Sequence, residues 1–380
     1  MAVASDPSAK QAKKAVPERE WSPPFWMGMA CGGWLRLLRR NHFAVDWQHS
    51  HIAACITAMS MFHSFFGAVQ TVQLGWWLRR AKIGQPPVFI LGHWRAGTTL
   101  LHELMVLDER HSSPSTYACM NPSHFVSTEA FARRWLNFLL PSHRPMDNMP
   151  TGWERPQEDE FALANLGLPS PYLTIAFPNQ PPQDQPYLTL EGLPPRDVDR
   201  WKRGLMRFLS HVSYQAPEKR IVLKSPPHTG RVQTLLEMFP QARFVHIVRD
   251  PYTVFASTIN LWKTLYTKHG LQTPRFEGLD EYVLQTFERM YDKFERDRPL
   301  LSEEQFCEIR YEDLVRDPEA GIRRIYEQLD LGDLNQFLPA LRGYLASMDG
   351  YQTNRYTLTP DQRQQVAQRW GRFFRKYGYA

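Results

Sequence analysis

The sequence predicts an α/β fold with three layers, in which a central parallel sheet is flanked by helices and preceded by an N-terminal helical extension. From Pro86 onward, short apolar runs alternate with stretches of helical periodicity. Strands that are separated by helices form parallel sheets with right-handed crossovers. Of the 380 residues, 43% are hydrophobic and 22% are charged. This balance allows a sizeable core and excludes a globally disordered chain, a collagen and a coiled coil.

Composition divides the chain into three regions. Residues 1–24 lack apolar periodicity and the apolar core of a signal peptide, which predicts a disordered tail. Residues 25–82 predict an N-terminal helical region, and residues 83–380 the main domain. The four cysteines are far apart in the sequence, as expected for free thiols in the cytoplasm. The net charge of +6 is too small and too dispersed to indicate nucleic-acid binding.

The segment Ile52–Leu78 contains no Asp, Glu, Lys or Arg and is long enough to span a bilayer. It follows a basic run at 34–43. Two interpretations stay open. Residues 34–78 either associate the protein with a membrane, or the apolar segment forms a pair of helices that pack on the main domain.

The main domain opens with the apolar run VFIL at 88–91, which predicts a buried strand, followed by a Gly/Thr turn and a helix at 98–107. Similar units follow it. The further predicted strands are 221–223, 244–248 and 306–311, and the further predicted helices are 229–239, 251–267 and 313–329. The Pro-rich stretch 168–198 predicts an extended surface loop that lines a cleft.

The turn after the first strand predicts an anion site. A strand that enters a glycine turn and then a helix directs backbone N–H groups and the positive end of the helix at one spot. Gly92 and Gly97 have the spacing of the nucleotide loop G-x-x-x-x-G-K-[ST], so the fold is of P-loop type. Thr98 stands where that loop has lysine, and the cation is Arg95. The missing lysine disfavours a kinase or ATPase, whereas Arg95 can bind a phosphate without a metal.

Two further motifs place polar side chains at the ends of neighbouring predicted strands. Arg249 follows the strand at 244–248, and Ser257 lies within the first turns of the next helix, where the two can hold a second phosphate. Lys224 follows the strand at 221–223. Ligands of open parallel sheets bind at this edge, so we expect Lys224, Arg249 and the glycine loop to converge.

Together these motifs resemble the sulfotransferases that use 3′-phosphoadenosine 5′-phosphosulfate (PAPS). The resemblance runs from about Pro86 to Tyr379 and is closest to the branch of bacterial and tyrosylprotein sulfotransferases, whose first loop reads like G-x-P-R-S-G-T-T. It implies that the loop binds the 5′-phosphosulfate, and the loop residues it assigns to the cofactor are His93, Trp94, Arg95, Ala96, Gly97, Thr98 and Thr99.

The resemblance also assigns residues outside the loop. Arg249 and Ser257 match the pair that binds the 3′-phosphate, and Tyr311 in the motif YEDLV matches a position near the nucleotide. Asn354 and Arg355 lie where the family has a loop that closes over the cofactor. Sulfuryl transfer from PAPS is an in-line displacement that needs cations and N–H donors, so Arg95 and Lys224 would act in catalysis and no metal is required.

The general base that takes the acceptor proton is not settled by the resemblance. Relatives carry a Glu pair where this chain has Tyr117 and Ala118, or a His where it has Pro226. Two candidates remain open. One is the acidic run Glu158, Asp159 and Glu160 at a predicted helix start, and the other is His228, whose side chain has a suitable ordinary pKa.

The sequence therefore predicts a sulfotransferase that acts on a hydroxyl or amine. A P-loop kinase and a membrane-associated nucleotide-binding module without catalysis are the alternatives. The aromatic and Pro-rich stretch 168–190 suits a lipid, glycan, phenol or peptide acceptor equally well.

Overall fold

The computed structural model describes residues 23–135, 152–347 and 357–379. The predicted tail therefore lies outside the described residues except for its last two positions, and Asn354 and Arg355 lie outside them as well.

The described residues form one sheet of five parallel strands in the order β2-β3-β1-β4-β5. The strands are β1 (Val88–Leu91), β2 (His111–Ser112), β3 (Arg220–Lys224), β4 (Arg243–Val248) and β5 (Phe306–Arg310). The four predicted strands are all present. The edge strand β2 was not predicted because its two residues carry no periodic signal.

Helices surround the sheet. In chain order they are α1 (Cys31–Arg40), α2 (Ser50–Leu78), α3 (Thr98–Met105), α4 (Thr116–Met120), α5 (Phe125–Trp135), α6 (Asp159–Asn165), α7 (Pro195–Gln215), α8 (Val232–Met238), α9 (Pro251–His269), α10 (Leu279–Asp297), α11 (Tyr311–Arg316), α12 (Pro318–Leu329), α13 (Leu338–Ser347), α14 (Pro360–Arg369) and α15 (Gly371–Tyr377).

Alternate strand residues enter two separate hydrophobic cores. Phe89 of β1 and Phe244 of β4 join the larger core, which also holds residues of α7, α9 and α10. Val88 and Val245 join the smaller core together with residues of α3 and α12. Because side chains along a strand alternate between the two faces of a sheet, the two cores lie on opposite faces. The predicted three-layer α/β architecture is confirmed.

Three local predictions were wrong in detail. The helix predicted at 313–329 is two helices, because Asp317 accepts a hydrogen bond from the N–H of Ala320 and Pro318 opens a new helix. The helix predicted at 229–239 begins only at Val232, after a 3₁₀ turn at Pro226–Gly230. The stretch 168–198 is not an extended surface loop: it contains the 3₁₀ helix Pro171–Ala176, in which every residue is buried.

The N-terminal region is helical, as predicted, but its apolar segment is the single 29-residue helix α2 rather than a pair. The N-terminal region packs against α6. The ring of Phe25 stacks on Phe161 of α6 at 4.5 Å, and the side chain of Asn165 donates to the carbonyl of Phe25.

Candidate functional site

The glycine loop between β1 and α3 forms a concave backbone surface, which side chains at Gly92 and Gly97 would fill. Gly92 and Gly97 adopt φ of +148° and +100°, which L residues rarely adopt. A Cβ on Gly97 would lie 2.2 Å from the ring of Tyr311. Tyr311 at the start of α11 therefore lies directly against the loop, and its place near the nucleotide stays a prediction.

The loop, α9 and α11 meet around Arg95. Nε of Arg95 donates to Oγ of Ser257 at 2.8 Å, and Nη1 of Arg249 donates to the carbonyl of Arg95 at 2.9 Å. The guanidinium of Arg249 lies 4.1 Å from the ring centre of Tyr311. Burial lowers the pKa of Arg249, and the charge of Arg95 lowers it further. Two crowded cations beside a hydroxyl form a site whose electrostatics favour a bound anion.

The side chains of the remaining loop residues are buried, except that of Thr99. The imidazole of His93 packs against Phe287 in the core, and burial lowers its pKa to about 3. The indole of Trp94 is also buried. Ala96 and Thr98 are buried and Thr99 is half-buried, with Thr98 and Thr99 forming the first turn of α3.

Lys224 ends β3 beside the loop. In the sheet it is in register with Ile90 of β1, two residues before Gly92. Its ammonium lies 2.6 Å from Oε1 of Glu158, and its side chain is 2% exposed while that of Glu158 is 14% exposed. A nearly buried cation is held by a carboxylate that is still reached from solvent.

A chain of hydrogen bonds fixes the other oxygen of Glu158. The hydroxyl of Tyr172 donates to Oε2 of Glu158 and accepts from the indole N–H of Trp94 at 2.7 Å. Burial and the adjacent Glu158 raise the pKa of Tyr172 well above its ordinary value, so the phenol stays a donor. Glu158 is thereby tied both to Lys224 and to the glycine loop.

Asp159 and His228 form a fully buried pair behind this site. Nε2 of His228 lies 2.7 Å from Oδ2 of Asp159, and Ser225 donates to Oδ1. Burial alone would raise the pKa of Asp159, but the charge and hydrogen bond of His228 and the hydrogen bond of Ser225 hold it below its ordinary value. Neither side chain is exposed.

Glu160 is the third acid of the run and is also fully buried. Arg231 donates to both of its oxygens, and the closer contact is 2.6 Å. Ser170 donates to Oε1 at 2.6 Å. Of the three acids and His228, the structure brings only Glu158 next to Lys224 at an accessible position.

Four supporting residues were not foreseen from the sequence. Tyr172, Ser225, Thr229 and Arg231 each bind a site residue or the loop; Thr229 accepts the N–H of Gly92 at 2.8 Å. Three of them lie within the segment 224–231 that Lys224 opens, so proximity to Lys224 was an available signal. Tyr172 carried no such signal, because the Pro-rich composition of 168–198 predicts an extended surface loop.

The chain is similar to known sulfotransferases. The profile described as "Sulfotransferase family" matches residues 86–334. The chain is 50% identical over 361 residues to two proteins named omega-hydroxy-beta-dihydromenaquinone-9 sulfotransferase Stf3, from Mycobacterium bovis and Mycobacterium tuberculosis. The match covers 95% of this chain and 92% of each relative.

Solved structures of two sulfotransferases have the same fold as this chain. Sulfotransferase STF9 from Mycobacterium avium superposes with a TM-score of 0.65 at 19% identity, covering 92% of this chain and 96% of that one. Sulfotransferase STF1 from M. tuberculosis gives 0.60 at 18% identity, covering 89% and 90%.

Proposed function

Because the chain belongs to the sulfotransferase family, it is a sulfotransferase, and we propose that it moves the sulfuryl group of PAPS to the hydroxyl of a lipid-like acceptor. The family membership implies PAPS as the cosubstrate. It decides against the phosphotransferase and the non-catalytic module. The observation that carries the catalytic proposal is the pairing of Glu158 with Lys224 beside the glycine loop.

The residues present fit PAPS. A bisphosphate nucleotide needs two anion sites, and the loop amides with Lys224 supply one set of donors while Arg249, Arg95 and Ser257 supply a second. Tyr311, which lies between Gly97 and Arg249, offers an aromatic face at the junction of the two.

The transfer needs one proton acceptor and one cation at the reacting sulfur. When bound, PAPS supplies the activated sulfuryl group. We assign Glu158 as the base that takes the proton of the acceptor hydroxyl as its oxygen forms a bond to sulfur. Lys224 stabilises the negative charge on the phosphate oxygen from which sulfur separates, while Arg95, which donates to Ser257, belongs to the second set of donors. The products are a sulfate ester, the 3′,5′-bisphosphate and a proton held on Glu158.

Asp159, Glu160 and His228 hold this base in place. Their buried contacts with Ser225 and Arg231 fix the start of α6, where Glu158 is the residue before the first helical turn. Tyr172 orients the carboxylate of Glu158 from the other side. We therefore propose these three residues as positioning groups and Glu158 as the catalytic one.

The acceptor proposal rests on the relatives. A protein that is 50% identical to this chain is named for the sulfation of an omega-hydroxylated dihydromenaquinone. Such an acceptor carries its hydroxyl at the end of a long apolar chain. We extend that acceptor class, but no particular quinone, to this chain.

The test is a transfer assay with the full chain, PAPS and a polyprenyl quinone that carries a terminal hydroxyl, followed by mass spectrometry. The matched control acceptor is the same quinone without the hydroxyl. We expect a sulfate ester only from the hydroxylated compound, in the presence of EDTA as well as Mg²⁺. No ester from this acceptor, together with turnover of a phenol or peptide, would refute the acceptor class; loss of activity in EDTA would refute metal independence.

A further inference from the structure

The helix α2 buries three polar side chains against the protein and exposes a row of apolar side chains to solvent. The inner row repeats at spacings of four and three residues and is buried or half-buried: Ile56, Ser60, His63, Gly67, Gln70, Leu74 and Leu78. The opposite row is exposed at every position and wholly apolar: Ala54, Ala58, Met61, Phe65, Ala68, Val72 and Trp76. Helices of water-soluble domains show the reverse arrangement.

Specific hydrogen bonds hold the inner row on the domain. His63 and His124 share a hydrogen bond of 2.9 Å, and burial lowers the pKa of both imidazoles to about 4, so the pair is uncharged. Gln70 donates to the carbonyl of Ser123 at 3.1 Å and accepts from the N–H of Ser127 at 3.0 Å. The helix therefore cannot roll to hide its apolar row without breaking these bonds.

The outer row has the end groups of a helix at a lipid interface. Trp47 is 88% exposed before the helix begins, and Trp76 and Trp77 are exposed at its end. The guanidinium of Arg80 lies 3.6 Å from the ring centre of Trp76. Tryptophan and arginine with this pairing favour the headgroup region, where rings and cations meet phosphates.

The charge of α2 and of the chain on either side of it suits an anionic bilayer. The helix contains no acidic residue, and basic residues flank it: Arg36, Arg39, Arg40, Arg79, Arg80 and Lys82. The neighbouring helix α5 exposes Phe131 and Trp135 together with Arg134. Basic side chains beside apolar ones add electrostatic attraction to apolar insertion.

The helix is long and apolar enough to cross a bilayer, and it is the single such helix among the residues that the structure describes. Only 17% of the most apolar 18-residue stretch of this helix is buried inside the protein. Crossing would place Ser60, His63 and Gln70, with the domain bound to them, in hydrocarbon, which is costly. Lying flat leaves these bonds intact and immerses only the outer row.

We infer that the outer row of α2 docks the protein flat on an anionic membrane surface. The functional role of this docking, access to an acceptor in the membrane, rests on the proposed lipid-like acceptor. The 3₁₀ turn Phe25–Gly28 packs against α2, and Phe25 in that turn stacks on Phe161, three residues after Glu158. The docking face is thus joined through one short segment to the helix that positions the proposed base.

The test is flotation of the full chain with vesicles that contain no acceptor, made of phosphatidylcholine with or without phosphatidylglycerol. We expect binding to the anionic vesicles and a loss of about 100-fold in the partition coefficient for the variant M61S/F65S/V72S/W76S. The matched control is L300S/V315S, which removes two comparably exposed apolar side chains outside α2 and should bind as the unaltered chain does.

Three outcomes would overturn the inference: no flotation of the unaltered chain, equal flotation of the α2 variant, or a dimer in light scattering that this variant turns into a monomer. The last would mean that a second copy covers the face. Stabilisation by 3′-phosphoadenosine 5′-phosphate (PAP) should be unchanged in the variant, which checks that it is folded. Because the vesicles hold no acceptor, failure of the acceptor proposal would leave this result unaffected.

Discussion

The ammonium of Lys224 lies 2.6 Å from Oε1 of Glu158, although the two residues come from the end of a strand and the start of a helix 66 positions apart. Tyr172 occupies the other oxygen of the same carboxylate. This arrangement holds a carboxylate at the strand edge where the anion loop also ends.

Replacing Glu158 by Gln removes the proposed proton acceptor while keeping a similar shape. We expect kcat to fall about 10²- to 10⁴-fold, the range that general base catalysis supplies, with little change in PAP affinity. The measurement is steady-state turnover beside a thermal-shift titration with PAP. The matched control is E154Q, an exposed glutamate that pairs with Arg133. A variant E158Q with near-normal kcat would remove Glu158 from the chemistry.

Replacing Ser257 or Arg249 by Ala weakens the proposed 3′-phosphate site. Charge-assisted hydrogen bonds to phosphate contribute about 1.5–3 kcal/mol, so the loss of Arg249 should weaken PAP binding about 10- to 100-fold. Adenosine 5′-phosphosulfate lacks the 3′-phosphate, and we expect its affinity to change much less. The measurement is calorimetric titration of both ligands, with R316A as a control at an exposed arginine.

An equal loss for the two ligands in that comparison would contradict the assignment. It would mean that Arg249 supports the loop through its bond to the carbonyl of Arg95 rather than binding the 3′-phosphate.

The parts of the candidate site that could be predicted from the sequence are those whose motifs lie within short segments of the chain. The glycine loop, Lys224 at a strand end and the Arg249–Ser257 spacing each lie within a short segment of strand, turn and helix. Hydrophobic pattern and turn chemistry therefore predict where they lie in the fold, whereas their roles toward the cofactor follow from the resemblance and stay predictions. The choice among Glu158, Asp159 and Glu160 was not local. It depends on which carboxylate meets Lys224, Ser225 or Arg231 across the fold, and those pairings follow from tertiary packing.

The orientation of helix α2 also depends on tertiary contacts that the sequence does not reveal. Its composition left both membrane contact and core packing open, because composition does not say which row faces the domain. The bonds of His63 and Gln70 decide that orientation, and both involve residues of the segment 123–127, more than fifty positions away.

Removing one partner of the buried Arg231–Glu160 pair should destabilise the fold. Both side chains are fully buried, and a lone buried charge commonly costs 3–5 kcal/mol. We expect R231M to lower the free energy of unfolding by about that amount, and the double variant R231M/E160L to recover part of it. Chemical denaturation measures both.

The control for that comparison is K202M, which breaks the partly exposed pair of Lys202 with Glu237 and should change little. If R231M proved as stable as the unaltered chain, the buried pair would not be what fixes the start of α6.

Acid should destabilise the protein through its buried histidines. Burial lowers the pKa of His63, His124, His211 and His269 to about 4 and that of His93 to about 3. The unfolded chain, with imidazole pKa values near 6.5, therefore binds more protons than the folded one between about pH 6.5 and 4. Stability is full above that window and falls as the pH drops through it.

We expect the urea midpoint to fall steadily from pH 7.5 to pH 5, and His211 offers the cleanest check because its shift comes from burial and the nearby charge of Arg207. Between pH 7.5 and pH 5 the variant H211L should lose about 1–2 kcal/mol less of its free energy of unfolding than the unaltered chain does. The exposed H51Q should leave it unchanged. A decline of the same slope in H211L would mean that this imidazole takes up its proton in the folded state, so that burial at this position does not exclude the charge.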